Sequence, residues 1–454
     1  MAIHDTAAPP LDGLYSDHVN PQWVKLLNVL QMNVTYDRCT GSELFTSDGR
    51  RILDFLSGYC VHNVGHNHPA IIAALKEELD RSGPAMLQSH VSHIAAQLAE
   101  RLVKLAGGQL ERVYFTNSGS EGIETAIKFA RAHTRRSRLL YANGGFHGLT
   151  CGALSLMSDR FWSEGFGPML PGTQGVPFGD LEELEEALAT RKFAAFILEP
   201  VQSEGGIQVP EGAYLQQAQA LCRRYGTLFV LDEVQTGMFR TGTFLAAHRF
   251  QLEPDMVILA KALSGGLVPV GAVLMTQAIG DSVFTSLKRS IVHASTFGEN
   301  SLAMRAGLAT LDVLEAEALG ERASRMGARL RHELAEALAP YEMVNAVRGL
   351  GMLGGIEFAA PRQLRLRIAF EACRRIHPAL LGQIVVMRLF RDHGILTQIC
   401  GNNFMVLKVA PPLMVTERQC QEFVEAAQSV SDLMHHSTSF WNESLGMARR
   451  VVNL

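Results

Sequence analysis

Two apolar runs that each end in charge constrain this chain more than any other feature. In the stretch from Gly226 to Gly266, Phe229-Val230-Leu231 runs into Asp232-Glu233, and Met256-Val257-Ile258-Leu259-Ala260 runs into Lys261. Short apolar runs rich in β-branched residues and bounded by turns are the pattern of parallel strands buried on both faces. Open α/β sheets bind ligands beyond the carboxyl ends of their strands. The pattern therefore predicts that Asp232 and Lys261 reach one crevice, although 29 positions separate them.

A buried lysine is costly unless it is paired or chemically used. A carboxylate with a lone lysine is what pyridoxal phosphate chemistry needs, the lysine for the Schiff base and the carboxylate for the pyridinium nitrogen. A structural ion pair capping two strands would leave the same signature.

The segments before this stretch repeat its logic. The strand-like RVYFT leads through Asn117-Ser118-Gly119-Ser120 into a helix with Glu121 in its first turn, an arrangement that suits either a phosphate cradle or a plain helix cap. SRLLYA leads to Phe146-His147, where an aromatic face either stacks on a flat ring or folds into the core. FAAFIL ends at Glu199, with Glu204 in the Gly-rich loop beyond. Nearer the N-terminus, GSELFTSDGRRILDF reads as a hairpin turning at Ser47-Asp48-Gly49, and a helix begins near Pro69. His62, His66 and His68 lie between them with no acidic ligand at zinc-like spacing, so they read as capping, packing or pocket residues, and no metal is expected. Past residue 325 the texture changes to a helix, a strand, a helix, two strands and a final helix, a smaller α+β unit.

A chain of 454 residues exceeds what one hydrophobic core supports, so two or three units are expected. A net charge of -4 supplies no field for nucleic acid or anionic lipid. Seven scattered cysteines without CxxC spacing fit a reducing compartment. The N-terminus lacks a signal-type apolar core and no run reaches membrane-spanning length, so a soluble, cytoplasmic protein is expected.

The blocks DFLSGYCVHNVGHNHP, FTNSGSEGIETAIKFAR, FHGLT, EPVQSEGG, LFVLDEVQTGMFRTG, ILAKALSGG, HASTFGEN and VRGLG, in this order, resemble the class III (ornithine/acetylornithine type) pyridoxal-phosphate aminotransferases. The resemblance implies a fold-type I α/β enzyme: a large domain with a mostly parallel seven-stranded sheet, a small α+β domain, and a homodimer with shared active sites. It divides the chain into an N-terminal arm and small-domain segment (1–87), a large cofactor-binding domain (88–325) and a C-terminal small domain (326–454). It makes Lys261 the Schiff-base lysine and Asp232 the partner of the pyridine nitrogen. Ser118, Gly119 and Ser120 become the phosphate cradle, Phe146 and His147 the ring-side residues, Val234 the residue behind the ring, and Gln235 the neighbour of the cofactor hydroxyl. Glu199 would position Gln235, and Thr296 would reach the phosphate in the partner subunit.

The departures bear on substrate. The usual FHGRT arginine is Leu149, and the arginine ahead of APPL that clamps a substrate carboxylate is Lys408. Arginine offers a bidentate fork and lysine a point charge, so recognition changes. Glu204 matches the glutamate that gates this position and Tyr59 the pocket tyrosine. The implied reaction moves an amino group between a primary, terminal amine or amino acid and a keto acid or aldehyde, with glutamate and 2-oxoglutarate as a pair. A mutase or racemase of the same fold is the alternative.

Overall fold

In a computed structural model, residues 11–87 and 89–452 are described. The first ten residues of the expected N-terminal arm, the expected domain start at Gln88 and the last two residues lie outside the described part. Three sheets organise the chain. The first contains β1 (Tyr36–Thr40), β2 (Glu43–Thr46) and β3 (Arg51–Asp54), with β2 and β3 forming the expected antiparallel hairpin. The expected helix follows at Pro69–Asp80, with Pro69 at its first position and His68 capping it.

The second sheet has seven strands: β4 (Arg112–Thr116), β5 (Arg138–Ala142), β6 (Thr173–Val176), β7 (Phe193–Leu198), β8 (Leu228–Asp232), β9 (Met256–Leu259) and β10 (Gly271–Met275). Their order is β4-β10-β9-β8-β7-β5-β6. β10 runs antiparallel to both neighbours, and the pairs from β9 through β8, β7 and β5 to β6 are parallel. The apolar runs read from the sequence are its centre, and every residue of β7, β8, β9 and β10 is buried.

Successive strand residues point to opposite faces, and the packing follows that period. Val230 and Ile258 join Ile123, Ile127 and Phe129 of the helix Gly119–Thr134 in one core cluster. Phe229, Leu231, Val257 and Leu259 join the larger cluster on the other face, with Leu98 and Leu102 of the helix His93–Ala106. Each buried leucine or phenylalanine of this kind contributes roughly 1.5–3 kcal/mol. A sheet clamped on both faces is a rigid base from which to project side chains at its strand ends.

The C-terminal third departs in detail from the reading of its sequence. VRGLGMLGGIEF, read as one strand, is a hairpin of β11 (Val344–Leu350) and β12 (Leu353–Phe358), because Gly351 takes a left-handed turn conformation between them. LRLRIAFEACRRIHPALLGQIVVMRLF, read as one helix, is two, Leu364–Ile376 and Leu380–His393, interrupted at His377-Pro378 where proline disfavours a helical predecessor. GILTQICGNN, read as one strand, divides between sheets: β13 (Ile395–Leu396) pairs in parallel with β3, and β14 (Gln398–Ile399) pairs with β15 (Val406–Val409). The third sheet has the order β11-β12-β15-β14. A last helix, Thr438–Val452, buries Phe440, Trp441 and Met447. Among the described residues, no helix is long and apolar enough to cross a membrane.

Candidate active site

Beyond the carboxyl ends of β8 and β9 lies a cavity of about 580 Å³ lined by Asp232, Lys261, Glu199, Val234, Gln235, Ser118, Gly119, Ser120, Phe146 and His147. Ten residues chosen from sequence therefore meet in one place. Asp232 ends β8, accepts the Val234 backbone N–H at 3.1 Å and pairs through its other oxygen with His147 Nδ1 at 2.8 Å. Burial opposes a charge on His147, but the hydrogen bond that its Nδ1–H donates to the Asp232 carboxylate raises the imidazole pKa above its ordinary value. His147 Nε2 is buried and has no partner among the described residues.

Lys261 follows β9 and opens a single 3-10 turn with a left-handed φ of 48°. Bulky residues rarely adopt that conformation, and where they do the backbone strain tends to lie at functional sites. Burial lowers the pKa of its amine, although Cys60, Asp232 and Glu204 partly oppose that shift. A lysine with a depressed pKa keeps more of its amine neutral and nucleophilic.

The opposite wall is built for an anion. Ser118 caps the helix Gly119–Thr134, so the first free N–H groups of a 16-residue helix face the cavity. The space there depends on missing side chains: a Cβ on Gly148 would run into Ser120 Oγ, and one on Gly119 would come within 2.9 Å of Val234. These backbone donors and small residues fit a phosphate group. The carboxylate at Asp232 and the flat side chain at Phe146 fit a protonated heteroaromatic ring. The residues present thus suit pyridoxal phosphate.

A buried polar chain leads away from the cavity. Glu199 accepts the backbone N–H groups of Phe146 at 3.0 Å and Ser203 at 3.1 Å, and Ser203 Oγ donates to Gln235 Oε1 at 3.0 Å. Burial, reinforced by the neighbouring Asp232, pushes the Glu199 carboxyl up to about 7. Gln235 Nε2 donates to Glu204 Oε1 at 3.4 Å, and Glu204 forms an ion pair with Lys408. Burial disfavours both charges, yet the pair wins: the Glu204 pKa is lowered and that of Lys408 is raised. The Lys408 ammonium sits 4.9 Å from the centre of the Tyr59 ring, within cation–π range. Tyr59, Glu204 and Lys408 thus form one cluster beside the cavity, joined to it by Gln235.

Tyr59 is delivered by a turn that its sequence does not advertise. Ser57, Gly58, Tyr59 and Cys60 all have positive φ, a left-handed turn that costs roughly 1–2 kcal/mol for each non-glycine residue. Asp54 holds it by accepting the backbone N–H groups of Leu56 at 2.9 Å and Ser57 at 2.7 Å. Arg240, fully buried, adds donors to Ser57 Oγ, Asn63 Oδ1 and the carbonyls of Met352 and Pro411. Reading of the sequence missed Arg240, whose partners lie more than 100 positions away; its place in GMFRTG was the only signal.

The remaining residues lie as follows. Leu149 follows Gly148 of the cavity wall and is 55% exposed. Thr296 lies outside this cavity, in a second one of about 580 Å³ with Tyr114, Phe115, Ile291 and Ser295. That loop is tied to the first cavity, because Asn117 Nδ2 donates to Ser295 Oγ at 2.8 Å. Of the three loop histidines, His66 bonds Asp54 at 2.7 Å, His62 stacks on His66 and His68 caps the following helix.

The family model described as aminotransferase class-III matches residues 27–430. The chain belongs to the class III aminotransferases. These are pyridoxal-phosphate-dependent enzymes that move an amino group between an amine or amino acid and a keto acid, and the cavity above has the parts for that chemistry. The chain is 36% identical over 406 residues to the mitochondrial ornithine aminotransferase of Rattus norvegicus, covering 88% of this chain and 86% of that protein. It is 34% identical over 449 residues to the aminotransferase PigE of a Serratia species, covering 92% of this chain but only 53%, about half, of that longer protein. Its fold is similar to that of the (S)-enantioselective omega-transaminase from Thermomicrobium roseum, with a TM-score of 0.81, 29% identity and coverage of 94% and 98% of the two chains.

Proposed function

We propose that this class III aminotransferase takes the amino group of a primary, terminal amine or amino acid and passes it to a keto acid or aldehyde, with glutamate and 2-oxoglutarate as the exchange pair. Bound pyridoxal phosphate supplies an aldehyde that captures primary amines and a ring that accepts the electron pair released at the substrate carbon. The protein side of the work falls to a few residues. Lys261 Nζ binds the cofactor and, once displaced by substrate, takes the proton from the substrate carbon as a general base and returns it as an acid. Asp232, kept in place by His147 and the Val234 N–H, holds the proton on the ring nitrogen. Ser118, Gly119 and Ser120 would hold the phosphate, Phe146 and Val234 would confine the ring, and Gln235, braced by Ser203 and Glu199, would serve the cofactor hydroxyl.

One observation carries the choice of a terminal amine. Among the described residues lining the cavity, Lys261 is the only lysine or arginine, and Lys408 is spent on Glu204. No bidentate cation waits for an α-carboxylate, and the relatives named for ornithine and as an omega-transaminase agree with that preference. Glu204 then acts as a gate: a dicarboxylate such as glutamate is admitted when Lys408 exchanges Glu204 for the incoming carboxylate.

The active unit is a homodimer with shared sites. Ile291, 81% exposed, lines the cavity that holds Thr296, and Leu287 and Phe297 in the same stretch of chain are exposed by 94% and 57%; such apolar surface suits burial by a second copy. The pairing of β13 with β3 supports a small domain built from both chain ends, flanking a large domain of about residues 88–325. A panel of amine donors and carbonyl acceptors, read by cofactor absorbance and product identity, tests the reading. Stoichiometric release of a distinct carbonyl product is expected. Return of an isomer of the donor would assign a mutase or racemase instead, and reaction only with amino acids lacking a terminal amine would refute the substrate class.

A further inference from the structure

The cofactor cavity uses Phe146 but leaves unexplained the ring packed against it. Trp162, half-buried on the short helix Arg160–Ser163, sets its indole edge-on to Phe146, with ring centroids 5.3 Å apart and planes at 77°. Its other side is fixed by Asn402, whose Oδ1 accepts the indole N–H at 2.7 Å. The Asn402 amide also donates to the carbonyls of Gly144 at 3.0 Å and Gly145 at 3.1 Å, the two residues that lead into Phe146.

The same loop grips the gate. Gly401 N–H donates to Glu204 Oε2 at 2.8 Å, and Asn402 N–H donates to the Glu204 carbonyl at 2.9 Å. A Cβ on Gly401 would lie 3.2 Å from both Glu204 Oε2 and the Trp162 ring, so the indole closes directly over the residue that holds the gate. Trp162 therefore adjoins both the ring-side wall of the cavity and the Glu204 cluster.

Outward from it the surface stays apolar. The Phe161 ring packs on Trp162 with centroids 5.0 Å apart and is 68% exposed, and the exposed Leu149 follows the cavity residue Gly148. Single exposed apolar residues are ordinary, but stacked rings continuous with a cavity wall, as Phe161 on Trp162 on Phe146 are, offer an apolar groove. The indole N–H is already satisfied, so the groove has only hydrocarbon and ring faces to offer.

We propose that Trp162, positioned by Asn402, is a specificity-determining residue of the amino-transfer site. The part of the substrate it faces is apolar: an amine or aldehyde whose body beyond the reacting carbon is an alkyl chain or an aryl ring. This deepens the terminal-amine reading and rests on it. A short polar diamine satisfies the reacting end alone, whereas an extended apolar amine also covers Trp162 and Phe161. In a hydrophobic pocket even one methylene of contact changes discrimination by roughly 10–200-fold.

Steady-state kinetics with n-hexylamine and 1,3-diaminopropane, which share the reacting –CH₂NH₂ group, test this against one fixed acceptor in the parent, Trp162→Ala, Trp162→Phe and Asn402→Ala proteins. Trp162→Ala is expected to raise KM for hexylamine by about 10-fold or more and KM for diaminopropane by less than about 2-fold, with kcat kept. Trp162→Phe should recover most of the hexylamine effect, and Asn402→Ala should reproduce part of the loss. Quenching of tryptophan fluorescence by hexylamine, present in the parent and absent in Trp162→Phe, reads the contact without turnover. An equal rise for both amines, or retained preference and quenching in the variants, would overturn the proposal. So would a Phe161→Ser protein that loses its dimer while keeping its amine preference, since a second copy would then cover the rings. A parent enzyme that turns over diaminopropane but not hexylamine sinks this inference and leaves the terminal-amine reading intact; one that turns over neither, while transaminating only amino acids lacking a terminal amine, sinks both.

Discussion

Breaking the Glu204–Lys408 pair from either side should cost far more than removing it whole. Lys408 has no exposed side-chain surface, and Glu204 is about one-tenth exposed. Lys408→Met leaves a buried carboxylate with only the Gly401 N–H and the Gln235 amide as donors, and Glu204→Gln leaves a buried ammonium over Tyr59. Removing one partner of a buried pair costs about 3–5 kcal/mol, whereas replacing both by well-packed neutral groups is often neutral or better, so the double variant should fall within about 1 kcal/mol of the parent. With an unfolding entropy of about 2.1 cal/mol/K per residue, the 454 residues carry about 1 kcal/mol/K, and each single change should lower the melting midpoint by about 3–5 °C. The pH dependence has a definite sign. The lowered pKa of Glu204 makes its share of stability full above the unfolded value near 4.5 and lost as pH falls through the folded value. The raised pKa of Lys408 makes its share full below about 10.5 and lost as pH rises through its folded value. The gap between parent and Lys408→Met should therefore narrow as pH falls, because burial unopposed by Lys408 lets Glu204 of the variant take up a proton at higher pH than in the parent. Calorimetry of the four proteins of the double-mutant cycle measures this, and a double variant that costs the sum of the two singles would refute the reasoning.

Three further outcomes are expected. Gly148→Ala, which forces a Cβ into Ser120 Oγ at a position with φ of 115°, should weaken cofactor affinity by an order of magnitude or more, read by equilibrium dialysis of pyridoxal phosphate. Asp232→Asn should leave the cofactor bound but lower kcat by about 10²-fold or more, since a neutral amide cannot hold the ring proton; a change confined to KM would contradict its role. Glu199 and Glu233 are both pushed up to about 7 by burial, so the native state holds protons that the unfolded chain has released above about 4.5. Stability should therefore fall as pH rises from about 5 to 7, by up to about 1.4 kcal/mol per pH unit for each proton held, and a flat urea-unfolding profile over that range would show that neither group is protonated.

What the sequence disclosed, and what it hid, divides along physical lines. Strand-end residues were legible because a buried run followed by charge is a local pattern: Asp232, Glu199 and Lys261 were placed by one-dimensional spacing, and the sheet beneath them followed from the same runs. The small-residue turn at Ser118 to Ser120 was legible for the same reason. Arg240 was not, because its role is to satisfy Ser57, Asn63, Met352 and Pro411, all distant in sequence. The left-handed turn at Ser57–Cys60 was hidden because its only local sign is Gly58, while the groups that pin it are the Asp54 carboxylate and Arg240. Trp162 reads as an ordinary surface aromatic until Asn402, 240 positions later, anchors it against Phe146 of the cavity wall. The C-terminal strands were misjudged in number because two-residue pairings such as β13 and β14 carry no alternation long enough to count.

Peptide mapping by mass spectrometry, after the protein is loaded with pyridoxal phosphate and reduced with borohydride, tests the central assignment most directly. The cofactor mass should appear on the peptide containing Lys261, and the Lys261→Ala protein should fold, bind the cofactor reversibly and carry no label. A label on Lys408, or transamination retained by Lys261→Ala, would contradict it.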